Sequence, residues 1–203
     1  MQALIITAYK NEDMLIQLLE RTHEYFRVYL HIDKKSSIRI DSIKRQFPDI
    51  YCSNKYEVYY AGFTHLLAVL HLLEQAVKDR NTYCHIISGQ DILTKPCYAF
   101  DRFEDDDTIY LDFIPEKYWD GLTKDRLKYW LITSDYKGSD MIVRAGNKCI
   151  KVMQDIFGIE RRTYKTIDTV YKGLIWASLP LYAAEYVLSY IRKHPEFITE
   201  IVA

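Results

Sequence analysis

HIISGQDILTKP, His85 to Pro96, is the stretch on which the reading of this sequence turns. It starts inside a short apolar run, Tyr83 to Ile87, that reads as a buried strand. The run stops at Ser88-Gly89, and an amide and a carboxylate, Gln90 and Asp91, follow at once. A plain turn ends a strand in this way. So does a ligand site, because open α/β sheets bind their ligands at the carboxyl ends of the strands.

The flanking sequence repeats the strand-then-polar pattern. Gln2 to Ala8 reads as a first strand, apolar enough to be buried on both faces. Asn11 then caps a helix with Glu12 and Asp13 in its first turn and Leu15, Leu18 and Leu19 on its apolar side. Arg27 to Ile32 reads as a second strand ending in Asp33, Ile40 to Phe47 as a short helix closed by Pro48, and Tyr56 to Tyr60 as a third strand. Phe63 to Lys78 carries Leu66, Leu67, Leu70, Leu73, Ala76 and Val77 at helical spacing. After the fourth strand, Tyr98 to Phe103 reads as helical and Thr108 to Phe113 as a fifth strand. Beyond it come helices over Leu122 to Ile132 and Asn147 to Phe157, a strand over Leu174 to Ser178, a helix over Leu181 to Lys193, and a last helix opened by Pro195. Alternation of this kind predicts βαβ units on a mostly parallel sheet flanked by helices, an α/β fold in one domain over residues 1–203.

The bulk composition excludes several classes. Of 203 residues, 49% are hydrophobic and 27% charged, enough apolar material for a sizeable core. The net charge of −1 lacks the basic excess of a nucleic-acid binder. Cys52, Cys84, Cys97 and Cys149 form no C-x-x-C pair and read as reduced thiols of a cytoplasmic protein. The run ALIITA is too short for a membrane span or a signal-peptide core, which leaves a peripheral membrane association open.

Four strand ends carry polar groups that a doubly wound sheet can bring to one rim: Thr7, Asp33, the turn Tyr60-Ala61-Gly62, and Ser88 to Asp91. Asp33 can accept hydrogen bonds from a base or ribose, Tyr60 can stack on a ring, and Gly62 and Gly89 let backbone approach a ligand. Each residue alone is equally a strand-terminating turn. No G-x-G-x-x-G, no P-loop and no G-x-S-x-G occurs. The six histidines show no metal-ligand spacing, and His65 and His71 read as ordinary helix-surface or packing residues. Asp105-Asp106-Asp107 precedes the fifth strand and reads as a solvated turn rather than a metal site. Asp112 lies at the carboxyl end of that strand, and Lys124 and Arg126 follow on the next helix.

Taken together, ITAYKN (Ile6 to Asn11), VYLHIDKKS (Val28 to Ser36), VYYAGFTHLLAVLHLL (Val58 to Leu73), HIISGQDILTKP and YKGLIWASLPLYAAEYVL (Tyr171 to Leu188) resemble a known family. It is the core-2/I-branching β-1,6-N-acetylglucosaminyltransferase family, which also holds the peptide xylosyltransferases. The resemblance, strongest to bacterial members, implies a GT-A-type fold that takes a UDP-sugar and inverts at the anomeric carbon. It implies that Asp33 reads the uracil, that Thr7 and Tyr60 lie against the nucleotide, and that Gln90 and Asp91 occupy the place where most such enzymes carry a metal-binding DxD. The family works without a metal or other cofactor. By the same resemblance Asp112, Lys124 and Arg126 face a carbohydrate acceptor.

Family members continue past the equivalent of Ala203 into a segment whose glutamate is the catalytic base. This chain is therefore expected to be short at its C-terminus, with no catalytic residue assigned and with a tendency to self-associate through exposed apolar surface. Two readings follow. One is a metal-independent glycosyltransferase of cell-surface polysaccharide assembly using a UDP-sugar such as UDP-GlcNAc, cytoplasmic or peripheral at the inner face of the membrane. The other is a shortened module that binds a nucleotide-sugar or a partner without turnover.

Overall fold

The computed structural model describes residues 1–59, 63–131, 141–159, 161 and 170–202. Its first half is the expected alternation: β1 (Ala3–Ala8), α1 (Glu12–Thr22), β2 (Arg27–Ile32), α2 (Ile40–Gln46), β3 (Tyr51–Ser53), α3 (Phe63–Lys78) and β4 (Tyr83–Ser88). A 3-10 segment, Cys97–Phe103, precedes β5 (Tyr110–Ile114). Then come α4 (Gly121–Lys128), α5 (Met141–Phe157), β6 (Lys172–Pro180), α6 (Leu181–Lys193) and α7 (Pro195–Val202). The six strands form one mixed sheet in the order β3-β2-β1-β4-β6-β5. β1 pairs in parallel with both β2 and β4, β2 pairs in parallel with β3, and β6 runs antiparallel to β4. The fold is α/β with a mostly parallel sheet.

Alternation along the central strands feeds two cores. Leu4, Ile6, Val28, Leu30 and Ile32 meet Leu15, Leu18 and Leu19 of α1 and Ile43 of α2 on one face. Ala3, Ile5 and Tyr29 meet Val69, Leu72, Leu73 and Ala76 of α3 and Ala183, Ala184 and Leu188 of α6 on the other. A strand apolar on both sides is thereby buried on both sides, as a parallel sheet requires.

The chain forms two compact units. One gathers Met1–Val58, Thr64–Asp112 and Leu174–Ser189, and the other gathers the described residues of Tyr59–Phe63, Phe113–Gly173 and Tyr190–Ala203.

Several local expectations are corrected. The third strand is Tyr51–Ser53; Tyr56 to Tyr59, expected as strand, is irregular, and Tyr60 lies outside the described residues. Its register sets Ser53 beside His31. Past that point side chains take up the N–H groups, Tyr56 N–H donating to His31 Nε2 (3.1 Å) and Val58 N–H to Asp33 Oδ1 (3.2 Å), while Tyr56 O accepts Lys34 N–H (3.0 Å). Asn11 does not cap α1 through its side chain; it takes the left-handed conformation (φ 57°), which asparagine tolerates, and its carbonyl accepts Leu15 N–H. The buried line of α3 runs through Ala68, Val69, Leu72, Leu73 and Ala76, while Leu66, Leu67 and Leu70 are only half-buried. α5 starts six residues before Asn147, and β6 extends two residues beyond each end of Leu174 to Ser178. The four cysteines are free thiols.

Candidate functional site

Ladder register carries the site. Thr7 on β1 lies beside His31 on one side and Ser88 on the other. One step on, Asp33 N–H donates to Ala8 O (2.8 Å) and Gly89 N–H to Thr7 O (2.8 Å). The ends of β2, β1 and β4 therefore stand side by side, with Asp33 at one side and the Ser88–Asp91 turn at the other. Two interstrand spacings separate these flanks, about 10 Å of backbone.

Asp33 is buried. Its Oδ1 accepts the N–H groups of Lys35 (2.9 Å) and Val58 (3.2 Å), and Oδ2 lies 3.8 Å from Lys35 Nζ. Lys35 Nζ also donates to Val58 O (2.6 Å). The carboxylate thus pins the loop after β2 to the segment after β3. The turn after β4 is closed in a similar way. Asp91 N–H donates to Ser88 O (3.0 Å), and Ser88 N–H donates back to Asp91 Oδ2 (2.7 Å). Asp91 Oδ2 also accepts Trp176 Nε1–H (2.6 Å) from β6. Gln90 N–H donates to Ser88 Oγ (3.2 Å), and the Gln90 amide is half-exposed, with no hydrogen bond to a described residue.

Gly89 has a packing reason to be glycine. A Cβ at that position would stand 2.7 Å from Ala8 Cβ. Packing of β1 against the turn is thus by itself sufficient reason for a glycine there.

Histidines missed by spacing arguments also collect here. His65, at the start of α3, shares a hydrogen bond with Thr7 Oγ1 (3.0 Å), and His71 shares one with Tyr51 OH (3.1 Å). Both are half-buried against the sheet, each with a hydroxyl partner on a strand. Burial pushes both imidazoles below the usual histidine range. His31 is fully buried and pushed down to about 4 by the loss of water around it. Because its Nε2 accepts the Tyr56 N–H, the neutral ring carries its proton on Nδ1, which has no partner among the described residues. His65 is the third residue of α3, and its spacing in the sequence carries no sign of the Thr7 partner on β1.

Tyr60, with Ala61 and Gly62, lies outside the described residues. Asp112 is the middle residue of β5 and is exposed. Lys124 is exposed on α4 in the second unit, and Arg126 shares that helix, its side chain outside what is described. Asp106 closes the turn before β5, accepting from Thr108 N–H (2.8 Å) and Tyr110 OH (2.7 Å), as a solvated turn would. Among the described residues, no three His, Cys, Asp or Glu side chains gather as metal ligands. A cavity beside the rim, between Ile92–Lys95 and the 3-10 segment, is lined by none of the site residues.

The sequence matches the family described as Branch, Core-2/I-Branching enzyme, over residues 3–190. No curated protein matches it at a significant level. Among solved structures it is similar to that of S. aureus TarS residues 1–349, at 16% identity and a TM-score of 0.40, over 65% of this chain and 41% of that one. The chain thus spans less than half the length of that structure.

Proposed function

The chain belongs to the Core-2/I-branching enzyme family, and on that premise we propose that it is a glycosyltransferase that uses a UDP-sugar, UDP-GlcNAc in the first instance. It transfers the sugar to a carbohydrate acceptor with inversion, without a metal, in cell-surface polysaccharide assembly. One observation carries the reading: the β2, β1 and β4 ends are adjacent, so Asp33, Thr7 and the Ser88–Asp91 turn share one rim. In this proposal Asp33 accepts the uracil N3–H, Thr7 and Tyr60 lie against the nucleoside, and Gln90 and Asp91 line the diphosphate and sugar. Asp112, Lys124 and Arg126 serve the acceptor. An inverting transfer needs a base to take the acceptor hydroxyl proton as that oxygen attacks the anomeric carbon, while the UDP phosphate oxygen leaves with the bonding pair.

Neither rim carboxylate is assigned as that base. Asp33 holds two backbone N–H groups, and Asp91 holds one together with the Trp176 indole. That favours a second reading, in which these residues bind a nucleotide-sugar without turning it over. Thermal melting with UDP and UDP-GlcNAc, in chelator, tests the donor site: a ligand that binds only the folded state raises Tm by mass action. No shift with either nucleotide overturns both readings. A shift accompanied by neither donor hydrolysis nor transfer leaves the second.

A further inference from the structure

Helix α5 carries its amphipathicity outward. At about 100° per residue, Met141, Val152, Met153, Ile156 and Phe157 fall in one arc of roughly 160°. These five side chains are between 51% and 83% exposed. Ile159, just past the helix end, is 49% exposed. The face turned toward the protein is the polar one. Gln154 is buried, and its amide clamps the Trp130 backbone, accepting from the N–H (2.8 Å) and donating to the carbonyl (2.9 Å). Lys151 pairs with Asp125, and Asp155 accepts Tyr129 OH (2.9 Å) and pairs with Lys128 (3.6 Å). A helix that covers a core does the reverse. An apolar stripe of this extent facing water marks an interaction surface.

Charge names the occupant. Arg144 and Lys148 stand beside the arc, and the helix has a single acidic residue, Asp155, which is already engaged. The segment 113–173 holds 12 Lys and Arg against 8 Asp and Glu, while the rest of the chain holds 15 against 20. The positive excess thus lies in the part of the sequence that holds this helix. A second copy would bring the same positive surface against it, whereas a negatively charged, apolar-cored surface matches both features. Among the described residues, no helix is long and apolar enough to cross a membrane, so insertion in the plane of the interface is the geometry open to α5. We propose that α5 is an interfacial helix that seats this part of the chain on an anionic lipid bilayer. The apolar arc enters the headgroup boundary, and Arg144 and Lys148 meet lipid phosphates.

Co-sedimentation without nucleotide tests this independently of the donor site. The probes are vesicles of phosphatidylcholine alone and of phosphatidylcholine with phosphatidylglycerol at about 7:3. The chain should partition at least roughly tenfold better into the anionic vesicles, and less as salt rises. Ile156→Asp with Phe157→Asp should abolish that partitioning with Tm unchanged, since both side chains are exposed. Should that pair impair folding, Val152→Ser with Met153→Ser should weaken binding severalfold. Lys148→Glu should lower it on anionic vesicles only. Absence of binding to anionic vesicles overturns the proposal, as does equal binding by a folded double variant. A dimer that the double variant dissolves, with no vesicle binding, assigns the stripe to a second copy and also overturns it.

Discussion

Replacing Gly89 with alanine asks directly why the strand breaks at Ser-Gly. The added Cβ would meet Ala8 Cβ at 2.7 Å, Ala8 Cα at 3.3 Å and Leu15 Cδ1 at 3.4 Å. Ala8 is held on the central strand with its carbonyl bonded to Asp33 N–H, so it cannot yield without moving β1. Overpacking of this kind costs about 1–3 kcal/mol. For a chain of this size each kcal/mol lowers Tm by roughly 2–4 °C, which gives an expected fall of about 2–12 °C. Ala8→Gly removes the nearest clashing atom, at a cost of about 1 kcal/mol for a glycine inside a strand. The double variant should therefore be less destabilised than the sum of the singles, by roughly 1 kcal/mol or more. Urea unfolding of the four proteins yields the cycle, and melting with UDP runs alongside. If Gly89→Ala is as stable as the parent and yet loses the UDP shift, the glycine is there for a ligand and the packing account is wrong.

Three further outcomes follow from the same geometry. Asp33→Asn keeps an amide oxygen for the Lys35 and Val58 N–H groups but cannot accept with both positions, so it should melt near the parent while losing the UDP shift; an undiminished shift removes Asp33 from the uracil. Trp176→Phe deletes the indole donor to Asp91, and a half-exposed hydrogen bond to a charged group is worth on the order of 1 kcal/mol, so Tm should fall by a few degrees. Equal melting of Trp176→Phe, Asp91→Asn and the parent would mean that the bond is not formed in solution. His31 and His85, both buried, are each pushed from 6.5 to about 4 by loss of hydration. The unfolded chain then takes up more protons between those values. Their contribution is complete above pH 6.5 and declines as pH drops toward 4, by up to roughly 3 kcal/mol each. Urea midpoints should change little from pH 7.5 to 6.5 and then fall toward pH 5, and a flat profile refutes neutral burial of the pair.

Much of the fold was legible because its causes are local. The run Ala3–Ala8 is apolar at every position but one, so burial on both faces and a parallel sheet followed from composition alone. Leu15, Leu18 and Leu19 repeat at helical spacing, and all three are buried. The third strand was not legible, for a reason that local pattern does not carry. Tyr56 to Tyr60 is richer in strand-favouring residues than Tyr51–Ser53, but His31 and Asp33 at the end of β2 capture the Tyr56 and Val58 N–H groups. A side chain 25 residues away then decides where the ladder stops. The stripe of α3 was misplaced in part for a related reason. Leu73 and Ala76 are buried and Leu70 and Val77 pack against the core as expected, but Leu66 and Leu67 do not join it, because the face that packs is chosen by where Ile5 and Tyr29 stand on the sheet.

The site divides along the same line. Thr7, Asp33 and Ser88 to Asp91 could be placed on one rim from the sequence because strand ends can be found there, and the ends of β2, β1 and β4 are adjacent. His65 and Trp176 could not, since each matters through a partner on a different element, Thr7 and Asp91. Asp33 shows how a role can be half visible. A carboxylate at a strand end reads as an acceptor waiting for a ligand, yet one of its oxygens is spent on Lys35 and Val58. The two duties are compatible, because an ionised carboxylate has two oxygens and about four acceptor sites. Fixing Oδ1 by backbone orients Oδ2, and an oriented acceptor loses less freedom on binding than a swinging one. The same geometry makes alanine a poor probe here, since it would free two backbone N–H groups along with the ligand contact. Asparagine separates the loop-holding oxygen from the ligand-reading one, and the UDP shift in that variant decides whether Asp33 does both.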